Sequence, residues 1–231
     1  MKKRFLILCA ILFSFACKTD DDPSSYIPKA YNILALGDSY TIGQSVCETC
    51  RFPEQLKDSL LPRFPVEDIF SVKVIAQTGW TTTNLINAIE AESLTNNYEL
   101  VTLLIGVNNQ FQNKPFSLYE QEFPELLNKA IELANGDKEN VIVVSIPDYA
   151  FTPFGQNSSN AETISLEIDI YNNFAQNHCN TNNITFVNIT DITRAGLNQS
   201  NLIALDGLHP SALAYSKFVE RLLPIAFAKI Q

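Results

Sequence analysis

Apolar positions along this chain fall into two repeating patterns. Short, nearly unbroken apolar runs occur at 32–36 (NILAL), 70–77 (FSVKVIAQ), 98–106 (YELVTLLIG), 140–147 (NVIVVSIP) and 184–189 (ITFVNI). Runs of this length, rich in β-branched residues and stopped by glycine or proline, predict buried strands. Between them the spacing becomes helical. Segment 52–61 carries Pro53 in its first turn, where proline is tolerated. Segment 82–94 brings Leu85, Ile86, Ile89 and Leu94 towards one face, after threonines that can cap it. Segment 117–134 opens with Ser117 and Glu120 at capping-box spacing. Segments 162–179 and 210–230 complete the helices, with a disturbance expected at Pro224.

Continuous rather than alternating apolar strands imply a sheet covered on both faces. With a helix after almost every strand, the expected fold class is α/β. It is a three-layer α/β/α sandwich on a mostly parallel sheet of about five strands, joined by right-handed crossovers. Functional residues of such folds gather at the carboxyl ends of the strands. Ser39, in GDSYT after the first run, sits at such an end.

The first sixteen residues do not fit this scheme. Lys2, Lys3 and Arg4 precede twelve apolar residues, Phe5 to Ala16, too few to span a bilayer comfortably. This order reads as a secretory signal peptide over 1–16. The SFAC segment resembles a bacterial lipobox, with Ser14 where leucine is usual, and implies lipidation of Cys17. Residues 17–29 read as an acidic tether, and 30–231 as one domain. The lysine and acids after Cys17 resemble a signal that sends some bacterial lipoproteins to the cell surface. The expected location is the bacterial cell envelope, reached through a lipid anchor on Cys17, either facing the periplasm or exposed on the outer-membrane surface.

Processing sharpens the charge. Without residues 1–16, Lys+Arg falls from 16 to 13 against 25 acids, a net of −12. Such a surface repels nucleic acid, and no basic cluster offsets it. Three thiols remain: Cys47, Cys50 and Cys179. The lone C-x-x-C lacks the second pair or nearby histidines that zinc needs. Cys47 and Cys50 are either a local disulfide pinning a loop or two free loop thiols. Cys179 reads as a small buried apolar residue.

A serine nucleophile needs a base, and the base an orienting partner. The chain has only two histidines. His209 lies in LDGLHPS, three residues after Asp206, a spacing that lets the carboxylate fold back to the imidazole. His178 lies late in a predicted helix without an acid partner and reads as a surface or helix-end residue.

Four blocks now stand in order: GDSYT at 37–41, QTGWTT at 77–82, GVNN at 106–109 and DGLHP at 206–210. Together they resemble the GDSL family, the SGNH hydrolases, from about Asn32 to beyond His209. The resemblance implies a flavodoxin-like form of the sandwich and roles for the matching positions. Ser39 would be the nucleophile, His209 the base and Asp206 its partner. The backbone N–H groups of Ser39 and Gly79 and the side-chain amide of Asn108 would form the oxyanion hole. Asp38 would brace loop amides. The third block departs from the family's Gly-x-Asn-Asp by ending in Asn109, whose carbonyl can still accept a loop N–H.

The expected activity is that of a serine esterase acting on carboxylic esters through an acyl-enzyme, without metal or organic cofactor. A glycan or small-molecule ester, such as an acetylated polysaccharide or cell-wall glycan, is the expected substrate. The alternatives are a lysophospholipase or other lipid acylhydrolase, and a non-catalytic glycan-binding lipoprotein on the same scaffold. Tyr40 and Trp80 flank the blocks, with core packing as their default role. Phe111, Phe116, Phe151 and Phe154 are candidates for a substrate rim. A nucleotide-binding reading fails, because neither G-x-G-x-x-G nor a P-loop is present.

Overall fold

The computed structural model describes residues 26–231. The expected signal peptide, Cys17 and the tether up to residue 25 lie outside the described residues. Five strands form one sheet: β1 (Ala30–Gly37), β2 (Ile69–Ala76), β3 (Leu100–Leu104), β4 (Val141–Val144) and β5 (Thr185–Val187). Their order is β2-β1-β3-β4-β5, and every pairing is parallel.

Four long helices follow the expected positions: α2 (Phe52–Leu60), α3 (Thr82–Ala91), α5 (Phe116–Leu133) and α7 (Ala161–Asn182). The fifth, α9 (Ala212–Ile230), closes the chain. Helices α3, α5 and α7 pack in succession against one another, while α9 packs on α2. These two groups are the outer layers of the sandwich. The short helices α1 (Ser39–Ile42), α4 (Val107–Phe111), α6 (Pro153–Gln156) and α8 (Thr190–Arg194) all follow strand ends.

The central strands match the apolar pattern. Every residue of β3 and β4 is buried, as are Leu34, Ala35 and Leu36 of β1. Each fully buried leucine or isoleucine contributes about 1.5–3 kcal/mol. The edge strand β2 is mostly half-buried, because it has a strand neighbour on one side only.

Two local expectations change. Helix α5 begins at Phe116 after Pro115, so Ser117 lies inside its first turn and does not cap it. Proline 115 cannot extend the helix backwards, and its carbonyl already accepts the N–H of Leu118. Helix α9 runs through Pro224 without interruption. There, burial of Leu222 and Ala226 on either side holds the helix despite the missing N–H.

The strand order fixes where a ligand can sit. From β1 the chain crosses to β2 on one side, then returns past β1 to β3 and proceeds away. The connections after β1 and β3 therefore diverge, opening a crevice above their carboxyl ends.

Candidate active site

The nucleophile candidate stands at that divergence. Gly37 is the last residue of β1, level with Ala76 of β2 and Leu104 of β3. A Cβ here would lie 2.1 Å from Thr41 Oγ1 and 2.5 Å from the Leu104 carbonyl oxygen, so only glycine fits. Asp38 caps α1, its Oδ1 accepting the Tyr40 N–H at 3.0 Å. Ser39 is the first residue of the helix and is 4% exposed. Asp38 is fully buried, and burial pushes its carboxyl up to about 7. Hydrogen bonds from Tyr40, from its own N–H and from Asn108 only partly oppose that rise.

The second and third blocks arrive from neighbouring strand ends. After β2 the chain turns, with the Trp80 N–H donating to the Gln77 carbonyl at 3.2 Å. Gly79 has φ +85°, and a Cβ there would meet nothing within 4 Å. Backbone conformation rather than crowding by the protein therefore selects glycine. After β3, Gly106 (φ +130°) leads into α4, which carries Asn108. The Asn108 amide donates to the Trp80 carbonyl at 3.0 Å and lies 3.5 Å from Asp38 Oδ2. The N–H groups of Ser39 and Gly79 find no acceptor among the described residues. Both remain free for a ligand oxygen.

The fourth block is a tight turn before α9. The Ala204 N–H donates to the His209 carbonyl at 2.7 Å, and Ser211 caps the helix through the Ala214 N–H. Inside this turn Asp206 Oδ1 accepts the N–H groups of Leu208 (2.9 Å) and His209 (3.0 Å). Its Oδ2 lies 2.6 Å from His209 Nδ1 and also accepts the Ser45 hydroxyl at 2.6 Å. Partial burial alone would raise this carboxyl. The bonds from Ser45, His209 and Leu208 outweigh it and hold Asp206 well below the usual carboxylate range. An ionised Asp206 takes the Nδ1 proton side, which leaves the Nε2 lone pair of a neutral imidazole available. The Tyr40 ring packs on the imidazole, centroids 5.1 Å apart.

Ser39, Gly79, Asn108 and His209 line one cleft of about 170 Å³. Its remaining walls are largely apolar: Val107, Phe111, Tyr149, Phe154 and Leu208. No hydrogen bond joins the Ser39 hydroxyl to His209 among the described residues. Such contacts are commonly loose before substrate binds and tighten in the reactive complex.

Asn109 braces this floor. Its Oδ1 accepts the Thr82 N–H at 3.0 Å, as its carbonyl was expected to accept a loop N–H. Its Nδ2 donates to Thr82 Oγ1 at 2.6 Å, which frees that hydroxyl to donate to the buried Glu122. Glu122 also accepts from Thr83 Oγ1 at 2.7 Å. An amide at 109 thus supplies the donor that lets one hydroxyl serve a neighbouring carboxylate.

The candidate rim splits. Phe111 and Phe154 line the cleft, and Tyr40 forms part of its wall. Phe116 instead packs edge-on against Tyr171 and Phe174, and Phe151 packs on the core beneath Arg194. Trp80 packs against the core. Cys47 and Cys50 form a disulfide on the loop that carries Ser45. Cys179 is buried, its thiol pushed up to about 12 by desolvation. His178 lies near the end of α7 beside Phe123 and Phe174, far in sequence from any acid partner.

Sequence reasoning missed Ser45 and Tyr149. Tyr149 follows β4 at a carboxyl strand end, so its position alone could have flagged it. Ser45 carries no such signal, since its role depends on a loop folding back across 161 residues of chain.

A family model described as the GDSL-like lipase/acylhydrolase family matches residues 35–217. The chain belongs to that family. This GDSL-like hydrolase also resembles solved structures across nearly its whole length. A lipase/acylhydrolase from Enterococcus faecalis superposes with a TM-score of 0.68 at 16% identity, covering 87% of this chain and 97% of its own. An acetylxylan esterase from Geobacillus stearothermophilus gives 0.63 at 17% identity, covering 89% and 98%. A lipolytic protein of the G-D-S-L family from Veillonella parvula gives 0.64 at 17% identity, covering 84% and 97%. Comparison with curated proteins returned no match. At these identities the structural likeness concerns the fold, while the family match makes the chain an enzyme of the GDSL hydrolase type.

Proposed function

We propose that this hydrolase cleaves carboxylic esters of short acyl groups, with Ser39 as nucleophile, His209 as base and Asp206 as its orienting partner. The observation that carries the reading is the single cleft shared by Ser39, Gly79, Asn108 and His209, with His209 Nδ1 held by Asp206. Ser39 Oγ attacks the carbonyl carbon and gives its proton to His209 Nε2. The oxyanion is received by the N–H groups of Ser39 and Gly79 and the Asn108 amide; each such donor is worth about 3–4 kcal/mol in the transition state. Collapse breaks the C–O bond, and the alcohol leaves with the proton from His209. Water, deprotonated by the same histidine, then cleaves the acyl-enzyme.

The size of the cleft supports a small acyl group. Pockets for drug-sized ligands run to about 300–1,000 Å³, whereas this one offers about 170 Å³. An acetyl ester of a polysaccharide or cell-wall glycan fits that limit better than a long lipid ester. The unengaged donors facing the cleft favour catalysis over a purely glycan-binding scaffold. The basic, apolar and small residues that end at Cys17 support display at the envelope on a lipid anchor.

Hydrolysis of p-nitrophenyl acetate by Ser39→Ala tests the mechanism. Loss of about 10⁵–10⁶ in kcat is expected. A mutant that keeps most of the activity would reject Ser39 as nucleophile. Rates across a p-nitrophenyl ester series should fall as the acyl chain lengthens beyond a few carbons.

A further inference from the structure

Beside the acyl cleft lies a larger groove of about 550 Å³, and the two share Phe111, Tyr149 and Phe154 as walls. We infer that this groove seats the alcohol side of the ester, and that the alcohol is an uncharged polyol, namely a sugar unit of a neutral glycan. The inference rests on the esterase reading and extends it to the leaving group.

Three observations carry it. The first is aromatic. Phe111 and Phe154 are 49% and 43% exposed, with ring centroids 6.1 Å apart at the junction of cleft and groove. Paired exposed rings at the mouth of a site present flat faces on which the C–H face of a sugar can lie.

The second is a fixed polar rail. Gln110 is only 7% exposed, and both ends of its amide are engaged. Its Oε1 accepts the Tyr149 hydroxyl at 2.8 Å, and its Nε2 donates to Glu167 Oε2 at 2.7 Å. The rail runs from the wall of the acyl cleft to the groove and holds Glu167 by one oxygen. A carboxylate held in this way keeps acceptor capacity for hydroxyl protons. Glu167 also lines a further hollow of about 340 Å³, which shares Gln110 and Asn113 with the groove. That hollow leaves room for a second unit.

The third is charge. Among the described residues that line the larger groove there is no lysine or arginine, and its one ionisable acid is Glu167. Within the groove a phosphate or carboxylate headgroup would meet a like charge, and the one cation, Lys114, lines only the adjoining hollow. Asn157, Ser158, Asn160 and Thr163 offer neutral donors and acceptors instead, which suit hydroxyl groups. The same reasoning disfavours a lysophospholipid headgroup in the groove itself.

The test uses the full chain carrying Ser39→Ala, titrated calorimetrically with xylohexaose, cellohexaose and chitohexaose, and with lysophosphatidylglycerol for comparison. At least one neutral oligosaccharide should bind saturably. Adding Glu167→Gln should weaken it about tenfold, the effect of losing one charge-assisted hydrogen bond. In the active enzyme, Glu167→Gln should lower the ratio of kcat/KM for an acetylated oligosaccharide to that for p-nitrophenyl acetate by a similar factor. Thr163→Trp, which fills the groove from an exposed position, provides an independent variant with the same expected direction. The inference is overturned if no oligosaccharide binds, if the lysophospholipid binds more tightly, or if both variants leave the ratio unchanged. Ser39-dependent hydrolysis of p-nitrophenyl acetate separates the two failures. If it persists, only the groove assignment falls; if Ser39→Ala remains active, the catalytic reading falls first.

Discussion

Two aspartates flank the cleft, and they are held in opposite ways. Asp38 closes the end of β1, wholly buried, and lack of water raises its carboxyl to about 7. Asp206 sits in the turn before α9 with its side chain 29% exposed, yet four donors hold it well below the usual carboxylate range. Burial and hydrogen bonding act on both groups, but the balance differs. Where donors converge, the carboxylate is a fixed anion able to stabilise an imidazolium. Where desolvation outweighs the donors, it is a capping residue that can take up a proton near neutrality. Proximity in sequence to Ser39 is therefore a poor guide to which aspartate holds the imidazole.

The most severe way to break this contrast is Asp206→Asn. An amide there can present its NH₂ to His209 Nδ1 and favour the wrong tautomer, and kcat for p-nitrophenyl acetate should fall about 10⁴-fold. A third carboxylate sharpens the comparison. Asn109→Asp would put an acceptor-only group beside Thr82 Oγ1, which already serves Glu122, in a fully buried position. The loss should be about 2 kcal/mol, or roughly 4–8 °C in Tm by calorimetry.

A further test lies in the pH dependence of stability, where the two aspartates have opposite signs. Asp206 is depressed when folded, so its contribution is present above the ordinary value of 3.8 and lost as pH falls below it. Asp38 is raised when folded, from 3.8 to about 7. The native state keeps a proton that the unfolded chain releases, so stability declines as pH rises between those values. Tm measured from pH 3 to 8 should show that decline, and Asp38→Asn should flatten it. An unchanged slope in the mutant would show that Asp38 is not the group responsible.

Much of this was legible in the sequence for a physical reason. Strands buried on both faces leave unbroken apolar runs, so β1, β3 and β4 announced themselves and the sheet followed. Blocks at strand ends then located Ser39, Gly79, Asn108 and His209 in one cleft. What escaped were contacts that depend on how loops fold back. Ser45 reaches Asp206 from a left-handed backbone position, and Gln110 ties Tyr149 to Glu167 across three elements. Short polar residues in loops look alike in one dimension. The Ser117 cap failed because local spacing ignored Pro115, and Phe116 and Phe151 lie outside the acyl cleft because aromatic side chains pack inward as readily as outward, though Phe116 borders the adjoining hollow.

The packing of α9 on α2 sets the C-terminal helix, which follows directly on Asp206 and His209, against an early element of the domain that follows Ser39. A polypeptide is made from the N-terminal end, so Ser39 is in place long before Asp206 and His209 have been synthesised. Until then Ser39 lacks the proposed base. On the proposed mechanism the chain can hydrolyse no ester before residues 206–209 have been synthesised.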